Sequence, residues 1–226
     1  MNNKSKELTA KNTYEFGDLC EIMKLLRAPG GCPWDREQTH KSIRTNLIEE
    51  AYEAAEAIDI NDDKLLCEEL GDLMLQTVFH AQMADEAGEF NISDVINGIC
   101  KKLIIRHPHI FSDICVNGSA DVLRNWDKIK YESKKLNPAE TLDAVCTALP
   151  ALMRAQKLAK RAEAAGGYIS PYEKRKLSPD DTATKACELG ERLFELAQEA
   201  RAYGVDAEEA LEVYNKTFVH KIKNTL

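Results

Sequence analysis

Two pairs of acids stand three residues apart on consecutive segments that otherwise read as helices. Glu50 and Glu53 lie in EEAYEAAEAI (49–58), and Glu69 and Asp72 lie in EELGDLMLQ (68–76). A spacing of i, i+3 places both members of a pair on one helix face. Four carboxylates with no Lys or Arg between them repel one another unless a cation holds them together. Gln76 and then His80 continue the second acid line. Such a set suits a hard divalent cation with oxygen ligands. Mg²⁺ takes carboxylates, keeps several waters, and is usually shared with substrate phosphates. An acid cluster of this kind therefore calls for a phosphorylated substrate and for cationic side chains nearby. Lys102 and Arg106, i to i+4 on a later helical segment, supply them, with Lys128 and Lys130 available beyond.

Other readings of the same residues are weaker. A solvated acidic face is the plain alternative, but the two pairs hold equivalent positions relative to their apolar stripes. Asp59, Asn61 and Asp63 mimic the first ligands of a calcium loop, yet Lys64 stands where its glycine belongs and Leu70 where its bidentate glutamate belongs. A di-iron carboxylate bundle requires Glu-x-x-His pairs, which the chain lacks.

The elements that must position these acids follow from periodicity. Residues 13–27 predict an amphipathic helix carrying Phe16, Leu19, Ile22, Met23 and Leu26, stopped by Pro29, Gly30, Gly31 and Pro33. A second helix is expected over about 45–60, and a third, beyond the polar turn DINDD, over about 63–87 with Gly88 as its stop. A fourth runs over about 93–106 from an N-cap at Ser93, and a fifth over 121–135. Helices at 149–165, 181–203 and 206–222 complete an all-α reading, since no segment alternates as a strand does. On the first acid helix Leu47, Ala51, Ala54 and Ile58 form an apolar stripe, with Glu50 about 60° off its centre. Leu66, Leu70, Leu73 and Thr77 form the stripe of the next, with Glu69 and Asp72 displaced alike, so the acids are expected along one edge of a shared core.

Composition agrees with a helical enzyme or scaffold. An apolar content of 44% suffices for a core. The net charge of −8 removes any general attraction to nucleic acid, while allowing a local basic pocket. No apolar run approaches the roughly 20 residues that span a bilayer, and the first residues show no signal-peptide core, so no membrane partner and a cytoplasmic location are expected. Seven scattered cysteines without a CxxC pair read as reduced thiols.

The chain also echoes itself. EELGDLMLQTVFHAQ (68–82) resembles CELGERLFELAQEAR (187–201), and each copy is followed by a glycine and a lysine-bearing helix, with Lys102 in the first and Lys216 in the second. In the second copy Glu191 replaces the aspartate, and Gly166, Gly167, Pro171 and Pro179 leave no room for a preceding acid helix. Residues 13–135 are thus expected to form a helical domain with an intact acid motif, and 149–226 a degenerate repeat of it.

GCPWDREQTH (31–40), the two acid segments, KLIIRHPHIF (102–111), NWDKIKYE (125–132) and LPALMRAQKLAKRA (149–162) together resemble the MazG family of nucleoside triphosphate pyrophosphohydrolases, of the all-α NTP pyrophosphatase type. The resemblance implies a hydrolase that converts a nucleoside triphosphate to monophosphate and pyrophosphate using Mg²⁺ (or Mn²⁺). It implies that Glu50, Glu53, Glu69 and Asp72 hold the metal and act in catalysis, and that Lys102 and Arg106 hold the triphosphate. Lys130 is a further candidate for the substrate, and Trp34 or Trp126 for stacking on its base. A homodimer or higher homo-oligomer and a house-cleaning role are implied as well. Departures from the family pattern are the degraded second motif, His220 where an arginine would follow Lys216, Ile105 for an arginine, and TNLIEE at the entry to the first acid helix. The alternative reading is a non-catalytic nucleotide- or metal-binding regulatory protein on the same fold.

Overall fold

Helices carry the chain in the computed structural model, which describes residues 3–112, 118, 121, 122, 126, 129, 136–172 and 177–226 with no strand among them. Its contacts fall into two units, Met1–Ile114 and Cys115–Leu226.

The first unit comprises α1 (Asn3–Thr9), α2 (Phe16–Arg27), α3 (Pro33–Glu37), α4 (Arg44–Asp59), α5 (Asp63–Glu86), α6 (Ile92–Arg106) and α7 (Pro108–Phe111). α5 is its spine and packs on α4, α2 and α6. The turn between α4 and α5 is tight because Asn61 takes a positive φ of 55°, which a short polar side chain tolerates. Asp62 then caps α5 by accepting from the backbone amides of Lys64 and Leu65, each at 3.0 Å. Gly88, with φ 71°, ends the same helix without the steric cost that a Cβ would bring.

The cap of α6 differs from the expected Ser93. Asn91 accepts from the amides of Ser93 and Asp94, and the Asp94 carboxylate accepts from the Asn91 amide at 3.0 Å. This reciprocal box satisfies more orphan donors than a lone serine can. The core gathers Met23, Ile43, Val78, Phe79 and Met83, with Leu19, Leu75 and Ile92 against it. Each such side chain contributes about 1.5–3 kcal/mol when fully buried.

At the end of α2 the chain reverses through Gly30 (φ 84°) and Gly31. A Cβ on Gly31 would sit 2.2 Å from the Leu26 carbonyl oxygen, so only glycine fits. The reversal delivers Pro33 to the first turn of α3, a short helix that periodicity alone does not reveal. α1, α7 and the helix at 138–143 escape it for the same reason: each is under two turns long.

The second unit contains α8 (Pro138–Asp143), α9 (Ala151–Ala164), α10 (Pro179–Ala202) and α11 (Ala207–Lys223). Leu142, Val145, Leu158, Ala162 and Ile222 form its core. Arg154 is buried and paired with Glu212 at 3.0 Å, and Asn215 donates to the Ala151 carbonyl. α10 has no buried residue. Of the expected helix at 121–135, positions 121, 122, 126 and 129 are helical, and the remainder, with Lys128 and Lys130, lies outside the described residues. Among the described residues no helix is long and apolar enough to cross a membrane.

Candidate metal centre

α4 and α5 meet along their lengths, and α4 has only small residues, Ala54 and Ala57, buried. Small side chains let the two backbones approach, so the carboxylates on either side converge. Oxygens of Glu50, Glu69 and Asp72 lie within 4.8 Å of one another. Glu69 is buried, Glu50 and Asp72 are half-buried, and Glu53 stands exposed one turn beyond Glu50. Glu53 joins the group through a hydrogen bond with Glu50 and through its charge on Glu69.

The stripes expected from the sequence are buried only in part: Ala54 is buried and Leu66 and Leu73 are half-buried. Leu47, Ile58 and Leu70 are 37%, 58% and 51% exposed, and Ala51 and Thr77 also face solvent. The acids lie on the inward line itself, with Glu69, Gln76, Phe79 and Met83 turned to the interior of α5. The cause is helical phase. Seven residues advance a helix by nearly two whole turns, so Phe79 shares a line with Asp72, and Met83 with Gln76 and Glu69. Burying Phe79 and Met83 against Met23 of α2 outweighs burying Leu70, and the rigid helix carries its acids inward with them.

Electrostatics follow from that rotation. Partial burial, then the charges of Asp72 and Glu53, pushes the Glu50 carboxyl above its ordinary value, while a hydrogen bond from the Gln76 amide works the other way. Glu69 is raised first by burial and then by Glu53, Asp72, Glu50 and Glu68. A carboxyl raised in the folded state binds protons more tightly than in the unfolded chain. The cluster without a cation therefore costs stability above the raised values and regains it as pH falls through them. Three convergent carboxylates, with no cationic side chain among the described groups that shift Glu50 and Glu69, fit a hard divalent cation.

The other anticipated residues sit as follows. Lys102 is exposed on α6 and Arg106 half-buried one turn on, while the charges acting on Glu50 and Glu69 come from carboxylates. Trp34, on α3, is 57% exposed and meets Phe79 edge-on with ring centroids 6.5 Å apart. Trp126 is half-buried.

Arg27 and His40 have supporting roles that sequence reasoning missed. The buried Arg27 guanidinium donates to both Glu86 oxygens, the shortest contact being 2.7 Å, and to the backbone carbonyls of Asp35 and Gln38. It also lies 5.5 Å from the centre of the Phe79 ring. One side chain thus ties α2 and α5 to the segment carrying Trp34 and His40. His40 Nδ1 meets His80 Nδ1 at 2.8 Å. The two ring planes lie 4° apart with centroids separated by 5.1 Å, much farther than the nitrogens, so the rings meet edge to edge through a single N–H···N bond. Forty residues separate these partners, and only the continuation of the acid line through Gln76 to His80 hinted at them.

Comparison with known proteins gives a consistent result. The model of the MazG nucleotide pyrophosphohydrolase domain matches residues 38–111, which include all four acids. The chain is 38% identical over 218 residues to the nucleoside triphosphate pyrophosphohydrolase/pyrophosphatase MazG of Thermotoga maritima, covering 92% of this chain and 84% of that one. It is 39% identical over 223 residues to the nucleoside triphosphate pyrophosphohydrolase of Escherichia coli (strain K12), covering 91% and 84%. It is also 42% identical over 220 residues to YabN of Bacillus subtilis (strain 168), where it spans 91% of its own length and 45% of the relative's.

Proposed function

The chain belongs to the MazG family of nucleotide pyrophosphohydrolases, and from that premise we propose that it hydrolyses nucleoside triphosphates to monophosphate and pyrophosphate at the α4–α5 acid cluster, with Mg²⁺ as cofactor and Mn²⁺ as a substitute. The observation that carries this reading is the convergence of Glu50, Glu69 and Asp72 oxygens within 4.8 Å. The two relatives named as nucleoside triphosphate pyrophosphohydrolases support the substrate class.

Glu50, Glu69 and Asp72 would hold the cation, which when bound would supply positive charge against the phosphates and acidify water. Glu53, exposed at the rim, takes the proton of a water aligned opposite the leaving group. The water oxygen bonds to the α-phosphorus, the bond to the bridging oxygen of pyrophosphate breaks, and pyrophosphate departs with its charge. Lys102 and Arg106 of α6, with Lys130, hold the phosphate chain and stabilise that charge. Trp34 or Trp126 stacks on the base. The apolar side chains left exposed on this chain, such as Leu47, Ile58, Leu70 and Ile105, favour a homodimer or higher homo-oligomer. Removal of aberrant nucleotides from the cytoplasmic pool is the role that suits this reaction.

Pyrophosphate release from a panel of ordinary and modified triphosphates, with and without Mg²⁺, tests the reading. Glu53→Gln and Asp72→Asn should abolish release while the fold survives. Full activity in both variants overturns it. Saturable triphosphate binding without turnover at any divalent ion would make the protein a nucleotide sensor instead.

A further inference from the structure

Gln76 stands one turn beyond Asp72, on the face of α5 that also carries Glu69. Its side-chain amide hydrogen-bonds to Glu50 of α4, so it reaches the same group of oxygens that Glu69 and Asp72 join. Gln76 is only 7% exposed, and its Oε1 is buried without a partner among the described residues. Buried polar atoms in folded proteins are almost always satisfied. The next residues inward along α5, Phe79 and Met83, are apolar. Packing alone therefore calls for an apolar side chain at position 76, and an amide there needs a second reason.

The shape of the amide supplies one. Its two polar atoms lie about 2.3 Å apart on a single carbon. With one of them against Glu50, the other is held beside the acid cluster. A half-turn about the last side-chain torsion, which is broad and two-fold, exchanges them. Hard divalent cations take exactly these oxygens, carboxylate and side-chain carbonyl alike. Glu50, Glu69 and Asp72 offer carboxylates, and Gln76 offers a buried oxygen that nothing else meets.

We infer that Gln76 is a further ligand of the cation, binding it through Oε1. The amide adds a ligand oxygen without adding a negative charge. Three carboxylates already exceed the charge of a divalent ion, and a fourth at this position would repel an anionic substrate that shares the ion. The inference rests on the metal-centre reading of the acid cluster, and it adds to that centre a residue outside the paired-acid motif.

Mn²⁺ on the full chain without nucleotide tests it. With glutamine labelled by ¹³C at the side-chain carbonyl, ENDOR of the Mn²⁺-loaded wild type should show a large ¹³C coupling, because only an amide bound directly brings its carbon close to the ion. The coupling should vanish in Gln76→Met, which separates Gln76 from the other glutamines. No large coupling in the loaded wild type overturns the ligand role. Mn²⁺ titration followed by EPR should show Gln76→Met binding at least about 10-fold more weakly, no less than loss of an outer partner brings, since a thioether suits soft metals instead. Gln76→Glu, which keeps an oxygen in place, should bind at least as tightly as the wild type. Unchanged affinity in a folded Gln76→Met, or weaker binding in Gln76→Glu than in Gln76→Met, overturns the inference. A wild type that binds no Mn²⁺ overturns the metal-centre reading itself, and the ligand role with it. The ENDOR measurement on the wild type needs no variant, so a misfolded substitution does not shelter the inference.

Discussion

α5 and α10 are alike in local signal and opposite in fate. Both are 24 residues long, both contain Glu-Leu-Gly, and both run on through a positive-φ glycine, Gly88 or Gly204, to a capped helix. α5 buries seven residues, among them Glu69 and Gln76, whereas α10 buries none and leaves Leu189, Leu193, Phe194 and Leu196 at 45–66% exposure. The difference is the partner. α4 and α2 lie against α5, but the described residues just before α10, 165–172 with Gly166, Gly167 and Pro171 among them, and 177 and 178, are not helical. Acids on one helix can gather round a cation only where a facing helix brings a second pair of carboxylates; Glu188 and Glu191 are solvated charges, and Glu188 is held low by Lys185 at 2.6 Å. We therefore propose that the second unit is a repeat that has lost its site.

The largest test of this contrast is catalytic. Glu69→Gln should lower pyrophosphate release by at least about 100-fold, the scale expected when a group that stabilises the reacting charge is removed. Glu188→Gln should leave the rate within about twofold, and a comparable loss in both would mean that α10 carries a site of its own.

Packing offers the next contrast. Phe79→Ala, at 3% exposure, should cost about 3–5 kcal/mol by urea titration. Phe194→Ala, at 66%, should cost less than about 0.5 kcal/mol. A large cost at Phe194, accompanied by weaker self-association in sedimentation, would show that a second copy covers α10.

Arg27→Met should then cost about 2–3 kcal/mol, since it removes hydrogen bonds to a charged partner and to two carbonyls. Its activity should fall as well, because the segment bearing Trp34 and His40 loses its tether.

Acidity separates the two kinds of carboxylate. Arg27 holds the Glu86 carboxyl below its usual value, so this stability is present above the ordinary glutamate range and is lost as pH falls toward the lowered one. Glu50 and Glu69 run oppositely, and Mg²⁺ at neutral pH should raise the wild-type melting temperature. Asp72→Asn should blunt that rise, which a thermal melt series in pH and Mg²⁺ would reveal; a rise as large in the variant would count against the metal centre.

Long helices were legible because periodicity and stop signals act within a few residues. The segments at 16–27, 44–59, 63–86 and 92–106 fall within a few residues of their expected bounds. The rotation of α4 and α5 was not legible. Leu47, Ile58 and Leu70 make a plausible stripe, and nothing local says that Phe79 and Met83 prevail when α2 arrives. Arg27–Glu86 and His40–His80 stayed hidden for a similar reason, with partners 59 and 40 residues apart.

By itself the sequence determined the helical class, the four acids, their spacing and the family, since residue type and periodicity are local properties. Only the tertiary structure decided that three of the acids converge while Glu53 stands at the rim, and that Gln76 meets Glu50. A rigid helix has one rotation to give, and the larger apolar side chains of α5, packed against a helix some fifty residues earlier, set it.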